Sequence, residues 1–67
     1  MNDQDARIEA VLQLAHAVFE SRQAASQWML LPNQALAGES PRKHSATERG
    51  AQEVRRVLVA IEWGGVV

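Results

Sequence analysis

Apolar residues recur at spacings of three and four at both ends of this 67-residue chain. Ile8, Val11, Leu12, Ala15, Val18 and Phe19 form one stripe, with Leu14 at its edge, and Ala51, Val54, Val57, Leu58 and Ile61 form another. That period places side chains along one face of an α-helix. No alternating run reaches four residues with turn signals on both sides, so no strand is expected. The first stripe predicts a helix over Asp5–Glu20, capped by Asp3 or Asp5, with Glu9, Gln13, His16 and Glu20 on its wet face. The last predicts a helix capped by Thr47, with Glu48 in its first turn and Gly64 as its left-handed end.

Between the stripes the chain is punctuated. Ser21 is a candidate N-cap for a shorter helix through Trp28 and Met29, with Ala24, Ala25, Trp28 and Leu31 on its buried side. Pro32 disfavours helical backbone at Leu31, so this helix ends by Leu30. Asn33 can cap a single turn through Ala37 that Gly38 closes. Ser40-Pro41 reads as an N-cap followed by proline at the first helical position. Arg42 to Ala46 allows one more turn but carries no apolar stripe. The expectation is an all-α fold, a small helical bundle with two longer terminal helices joined by short helical turns. One domain over residues 1–67 is expected.

A chain this short buries only about 60% of the surface its unfolded form exposes. It has no cysteine, which excludes a disulfide or a thiolate metal site. Of its 46% apolar residues, 11 are alanines. Such helices must approach closely or borrow surface from a partner. Net charge is −1, with 22% charged residues, so no strong field favours nucleic acid or anionic lipid. The start Met1-Asn2-Asp3-Gln4-Asp5 is too acidic for a targeting peptide. No apolar run approaches the ~20 residues a membrane span needs. A cytoplasmic location is expected.

Catalytic signals are absent. A zinc site needs about four ligands, and His16 and His44 stand far apart with no cysteine beside them. Both are expected on the surface, where their titration could modulate binding. No Gly-x-Ser-x-Gly elbow occurs, and a nucleophile needs a base in reach and an oxyanion site. Neither an enzyme nor a cofactor is expected. Arg42, Lys43, His44, Arg49, Arg55 and Arg56 form a positive inventory, but Glu48, Glu53 and Glu62 interleave with it. A DNA reader normally shows a basic face and a recognition helix, so direct nucleic-acid binding is not expected. A solvated helix with local pairs, or a surface steering an acidic partner, remains open.

One spaced run is more specific. It reads Trp28-Met29-x-x-Pro32-Asn33-x-x-Leu36-x-Gly38-x-Ser40-Pro41, then Thr47-x-x-Gly50-x-x-x-Val54-x-x-x-Leu58-x-x-Ile61-x-x-Gly64. This run resembles the toxin-binding domain of the Xre/MbcA/ParS antitoxins, over roughly residues 18–64. The positions carrying the resemblance are Trp28, Pro32, Asn33, Leu36, Gly38, Pro41, Gly50, Val54, Leu58 and Ile61. Gly50 stands inside a helix, at a cost of ~1 kcal/mol against alanine, which a close helix approach would explain. The family usually follows its Ser/Thr-Pro with leucines. Here Pro41-Arg42-Lys43-His44-Ser45 replaces them, so a looser turn or an outward basic loop is expected. Many family members carry an upstream DNA-binding helix-turn-helix. This chain has room only for the C-terminal domain, so operator binding is not carried over.

The resemblance implies a toxin–antitoxin setting. The usual partner is a RES-domain toxin that consumes NAD or transfers ADP-ribose from it. The antitoxin's C-terminal segment, here about Glu62–Val67, then obstructs the toxin's cleft. Val59 and Trp63 lie four apart, off the core stripe, beside Gln52 and Arg56. An aromatic with a neighbouring arginine is the composition favoured at interface hot spots. The expected toxin-binding set is Arg56, Val59, Trp63, Gly64, Gly65, Val66 and Val67. The competing reading is that this face packs on the first helix. Trp28 is expected in the core. An alternative for the whole chain is a helical homodimerisation domain with no toxin, built on the first-helix stripe.

Overall fold

The computed structural model describes residues 2–64. They form α1 (Asp3–Phe19), α2 (Arg22–Leu30), a 3-10 turn (Gln34–Leu36), α3 (Pro41–His44) and α4 (Glu48–Glu62). The fold is all-α, with no strand among the described residues.

A side-chain cap starts each α-helix. The Asn2 side chain accepts from the Asp5 N–H at 2.8 Å, so α1 begins earlier than the acidic pair suggests. Asp3 and Asp5 lie inside the first turn, where they complement the helix dipole instead of capping it. Ser21, Ser40 and Thr47 accept from the N–H groups of Ala24, Lys43 and Gly50 at 3.1, 3.2 and 3.0 Å, as expected of caps. At its far end α1 stops at Phe19, and Glu20 is not helical. Ser21 is already extended, at φ −154°, so the chain must reverse within two residues. Glu20 does this in the left-handed region, at φ 53°.

The core joins Ile8, Val11 and Ala15 of α1 to Ala25 and Met29 of α2, Leu36 of the turn, and Ala51, Val54 and Leu58 of α4. Leu12, Leu14, Val18, Phe19, Trp28 and Val57 pack around it. Alanine supplies one core position on each long element, so the helices approach closely. The Phe19 and Trp28 rings meet at 5.6 Å and 49°.

Three expectations need correction. On α2, Met29 is buried while Ala24 and Leu31 are exposed. Ala25 and Met29 are one turn apart on the short helix. Leu31 has left it, at ψ 144°, because Pro32 follows. His16 is half-buried rather than wet, and its Nε2 is buried with no hydrogen-bond partner among the described residues. It lies one turn from both Leu12 and Phe19, on the flank of the apolar stripe. Ile61 is half-buried outside the core cluster and lines an open groove together with Asn33 and Ala35. Among the described residues, no helix is long and apolar enough to cross a membrane.

Candidate functional site

The segment between α2 and α4 determines what α4 presents outward. Residues 33–39 close on themselves. The Asn33 N–H donates to the Glu39 carbonyl at 3.2 Å, and the Asn33 carbonyl accepts from Leu36 and Gly38 at 3.0 and 2.9 Å. The Asn33 side chain accepts from the Ala35 N–H at 2.9 Å. Ala37 and Gly38 take successive left-handed conformations, at φ 58° and 82°. The loop thereby holds Leu36 in the core.

The stretch after Pro41 is not an outward basic loop. Pro41 and Ser45 are buried, and the Ser45 hydroxyl donates to the Pro41 carbonyl at 2.7 Å. The buried hydroxyl is thus satisfied by the carbonyl one turn earlier. Arg7 reaches from α1, its Nε and Nη2 donating to the Ala46 carbonyl at 3.3 and 2.9 Å. His44, expected on the surface, is half-buried and bridges two carboxylates. Its Nδ1 lies 2.7 Å from Glu39 and its Nε2 2.5 Å from Glu53. Carboxylates only accept, so the imidazolium, with a donor on each nitrogen, satisfies both. The bond to Glu53 raises the His44 pKa above its ordinary 6.5, against desolvation and with help from Glu39. The same bond lowers the Glu53 pKa below 4.5, against desolvation and with help from the charges of Arg49 and Arg56.

Gly50 receives the end of α3. A Cβ built there would sit 1.7 Å from the His44 carbonyl oxygen and 2.9 Å from its carbon. No side chain fits, and the backbone of α3 rests on the first turn of α4.

With Gly50, Ala51, Val54 and Leu58 facing inward, α4 shows its other side to solvent. At 100° per residue, Gln52, Arg56, Val59 and Trp63 fall within about 60° of one another on that side. Val59 is 45% exposed and Trp63 81%, so this face does not pack on α1. Gly64 follows, exposed and at φ 113°. Gly65, Val66 and Val67, which complete the expected set, lie outside the described residues.

Along one flank of this face runs an open groove of 510 Å³, lined by Asn33, Ala35, Glu53, Arg56, Val57, Ala60 and Ile61. Arg56 belongs to both the face and the groove. The motif positions sort by depth. Leu36, Pro41, Gly50, Val54 and Leu58 are buried, Trp28, Asn33 and Ile61 are half-buried, and Pro32 and Gly38 are exposed. A separate exposed apolar pair, Leu30 at 65% and Leu31 at 59%, ends α2.

Several site residues carried no sequence signal. The groove walls Ala35 and Ala60 come from elements far apart in the chain. Glu39, His44 and Glu53 straddle two breaks in the helical pattern, so no i, i+4 rule pairs them. Arg7 carried the one available hint, an arginine on the flank of an apolar stripe.

The chain belongs to the antitoxin Xre/MbcA/ParS C-terminal toxin-binding domain family, whose model matches residues 14–64. That match runs from the middle of α1 through the whole of α4 and Trp63. The protein is thus a toxin-binding domain of the antitoxin class, and a toxin is its partner. No curated protein and no solved structure matches the chain.

Proposed function

We propose that this domain neutralises a RES-domain toxin, one that consumes NAD or transfers ADP-ribose from it, by occluding its active-site cleft. The plug is the outer face of α4, with Arg56, Val59 and Trp63, continued by Gly64, Gly65, Val66 and Val67. The domain itself performs no chemistry and acts in the cytoplasm. The single observation that carries the reading is Trp63, 81% exposed at the C-cap of α4 and inside the family match. Leaving so large an apolar surface in water is unfavourable, and burying it against a partner recovers that free energy.

The test is an NAD-consumption assay with a purified RES-domain toxin from the same genome. Saturating amounts of this chain are expected to stop NAD loss. Undiminished NAD loss in a complex that demonstrably forms sinks the occlusion mechanism. A second reading, a homodimer, is favoured by Leu30 and Leu31, which lie outside the α4 face. The first-helix stripe is not available for it, because Ile8, Val11 and Ala15 are in the protein's own core. Sedimentation of wild type against Leu30→Ser/Leu31→Ser checks it. A dimer that the double substitution converts to monomer supports the reading, and a monomer at every concentration removes it.

A further inference from the structure

The groove beside α4 has aliphatic walls and a cation on its rim. Ala35, Val57, Ala60 and Ile61 supply the walls, and Arg56 stands at the edge. Glu53 also lines the groove, three residues before Arg56. At that spacing on a helix an acid and an arginine ordinarily pair. Here they do not. Glu53 is bonded to His44 at 2.5 Å, and Arg56 has no ion pair among the described residues. The other nitrogen of His44 is held by Glu39 at 2.7 Å, so the imidazole is fixed from both sides. Lys43 of α3 and Arg49 of α4 line the cleft that holds this bridge, and the charge of Arg49 favours the ionised form of Glu53. The bridge therefore holds the Glu53 carboxylate on His44, and Arg56 acts on it through its charge alone, without an ion pair among the described residues.

We propose that this groove receives an aliphatic side chain of the partner with a carboxylate beside it. The carboxylate pairs with Arg56, and the Glu39–His44–Glu53 bridge keeps Arg56 available by holding Glu53 away. Charge complementarity selects the occupant, since an apolar trough with an unpaired cation on its rim favours a side-chain pair that is apolar and anionic. Arginine adds geometric selectivity, because its planar fork donates two parallel hydrogen bonds to a carboxylate. The inference rests on the reading that the exposed side of α4 meets the toxin, and it adds the chemistry of the toxin segment that docks there.

The experiment uses the full chain, labelled with nitrogen-15, and two capped probes, acetyl-Leu-Ala-Glu-amide and acetyl-Leu-Ala-Gln-amide. The acidic probe is expected to shift the amides of Ala35, Val57, Ala60 and Ile61 and to bind roughly three- to fivefold more tightly than the neutral one, the upper part of the range of an exposed ion pair. Arg56→Gln should erase the preference. His44→Gln should also erase it, by releasing Glu53 to Arg56, and adding Glu53→Gln should restore it. Equal binding of the two probes, shifts clustered elsewhere, or no binding overturns the proposal. So does a preference that survives His44→Gln. If His44→Gln loses its helical circular dichroism, the Arg56→Gln comparison decides alone. No toxin enters this experiment, so its failure leaves NAD protection intact, and failed NAD protection leaves the probe result standing.

Discussion

Two backbone positions show how closely single residues constrain this small molecule. Ala37 sits at φ 58°, a left-handed conformation that costs a residue with a Cβ roughly 1 kcal/mol. Ala37→Gly should therefore raise stability by about 0.5 kcal/mol, after the larger entropy of the unfolded glycine chain is subtracted. A urea midpoint that falls instead would mean the Ala37 methyl makes a contact worth more than its strain. Gly50 is the opposite case. A methyl there meets the His44 carbonyl at 1.7 Å, and a backbone atom cannot swing aside. Gly50→Ala should cost at least about 2 kcal/mol, as overpacking against a fixed wall does. Equilibrium denaturation checks this, and a variant as stable as wild type would show that α3 can lift off α4 freely. The glycine was legible in the sequence as a helix-interior residue with an unexplained cost. The atom that forbids a side chain there was not, because it belongs to a separate helix.

Among the elements, α3 is the one that local pattern describes least well. Its four residues, Pro41–His44, carry no apolar stripe, yet it is fastened at both ends. Pro41 and Ser45 go inward, Arg7 bonds the Ala46 carbonyl, and His44 ties it to Glu39 and α4. Caps and breaks were readable because they depend on neighbours within four residues. The bridges were not, since they join residues separated by helix ends. Arg7→Met should cost about 1.5 kcal/mol, the loss of a charged donor from a carbonyl with its aliphatic stem retained. A smaller change in the denaturation midpoint would show that water replaces the guanidinium there. The His44 bridge makes the attachment of α3 pH-dependent. The His44 pKa is raised in the fold, so its contribution is complete below 6.5 and fades as pH rises through the raised value. The Glu53 pKa is lowered, so its contribution is present above 4.5 and fades as pH falls through the lowered value. The pair stabilises most in mild acid. Thermal melts from pH 6 to pH 8.5 should show falling stability in wild type and a flatter profile in His44→Gln. Parallel profiles would remove the bridge from the account.

For the whole molecule, the arrangement divides labour between two sides. The inner side commits Val54 and Leu58 to a shared core with Val57 packed against it, and the outer side keeps Val59 and Trp63 in water. The period of the stripe already separated those sides in the sequence. Which side α1 would cover depended on packing, and the groove depended on where the Gln34–Leu36 turn and its Asn33 cap landed. Trp63→Ala should weaken toxin capture by at least about 30-fold, the scale of an interface hot spot, with the unfolding midpoint unchanged. Calorimetric titration and a melt of the same sample test both halves, and a lowered midpoint would show that Trp63 supports the fold. The chain has no tyrosine and two tryptophans, one half-shielded beside Phe19 and one almost bare. Their fluorescence therefore separates two events without any dye. Docking should move the emission of Trp63 toward the blue and protect it from acrylamide, while melting should move that of Trp28 toward the red.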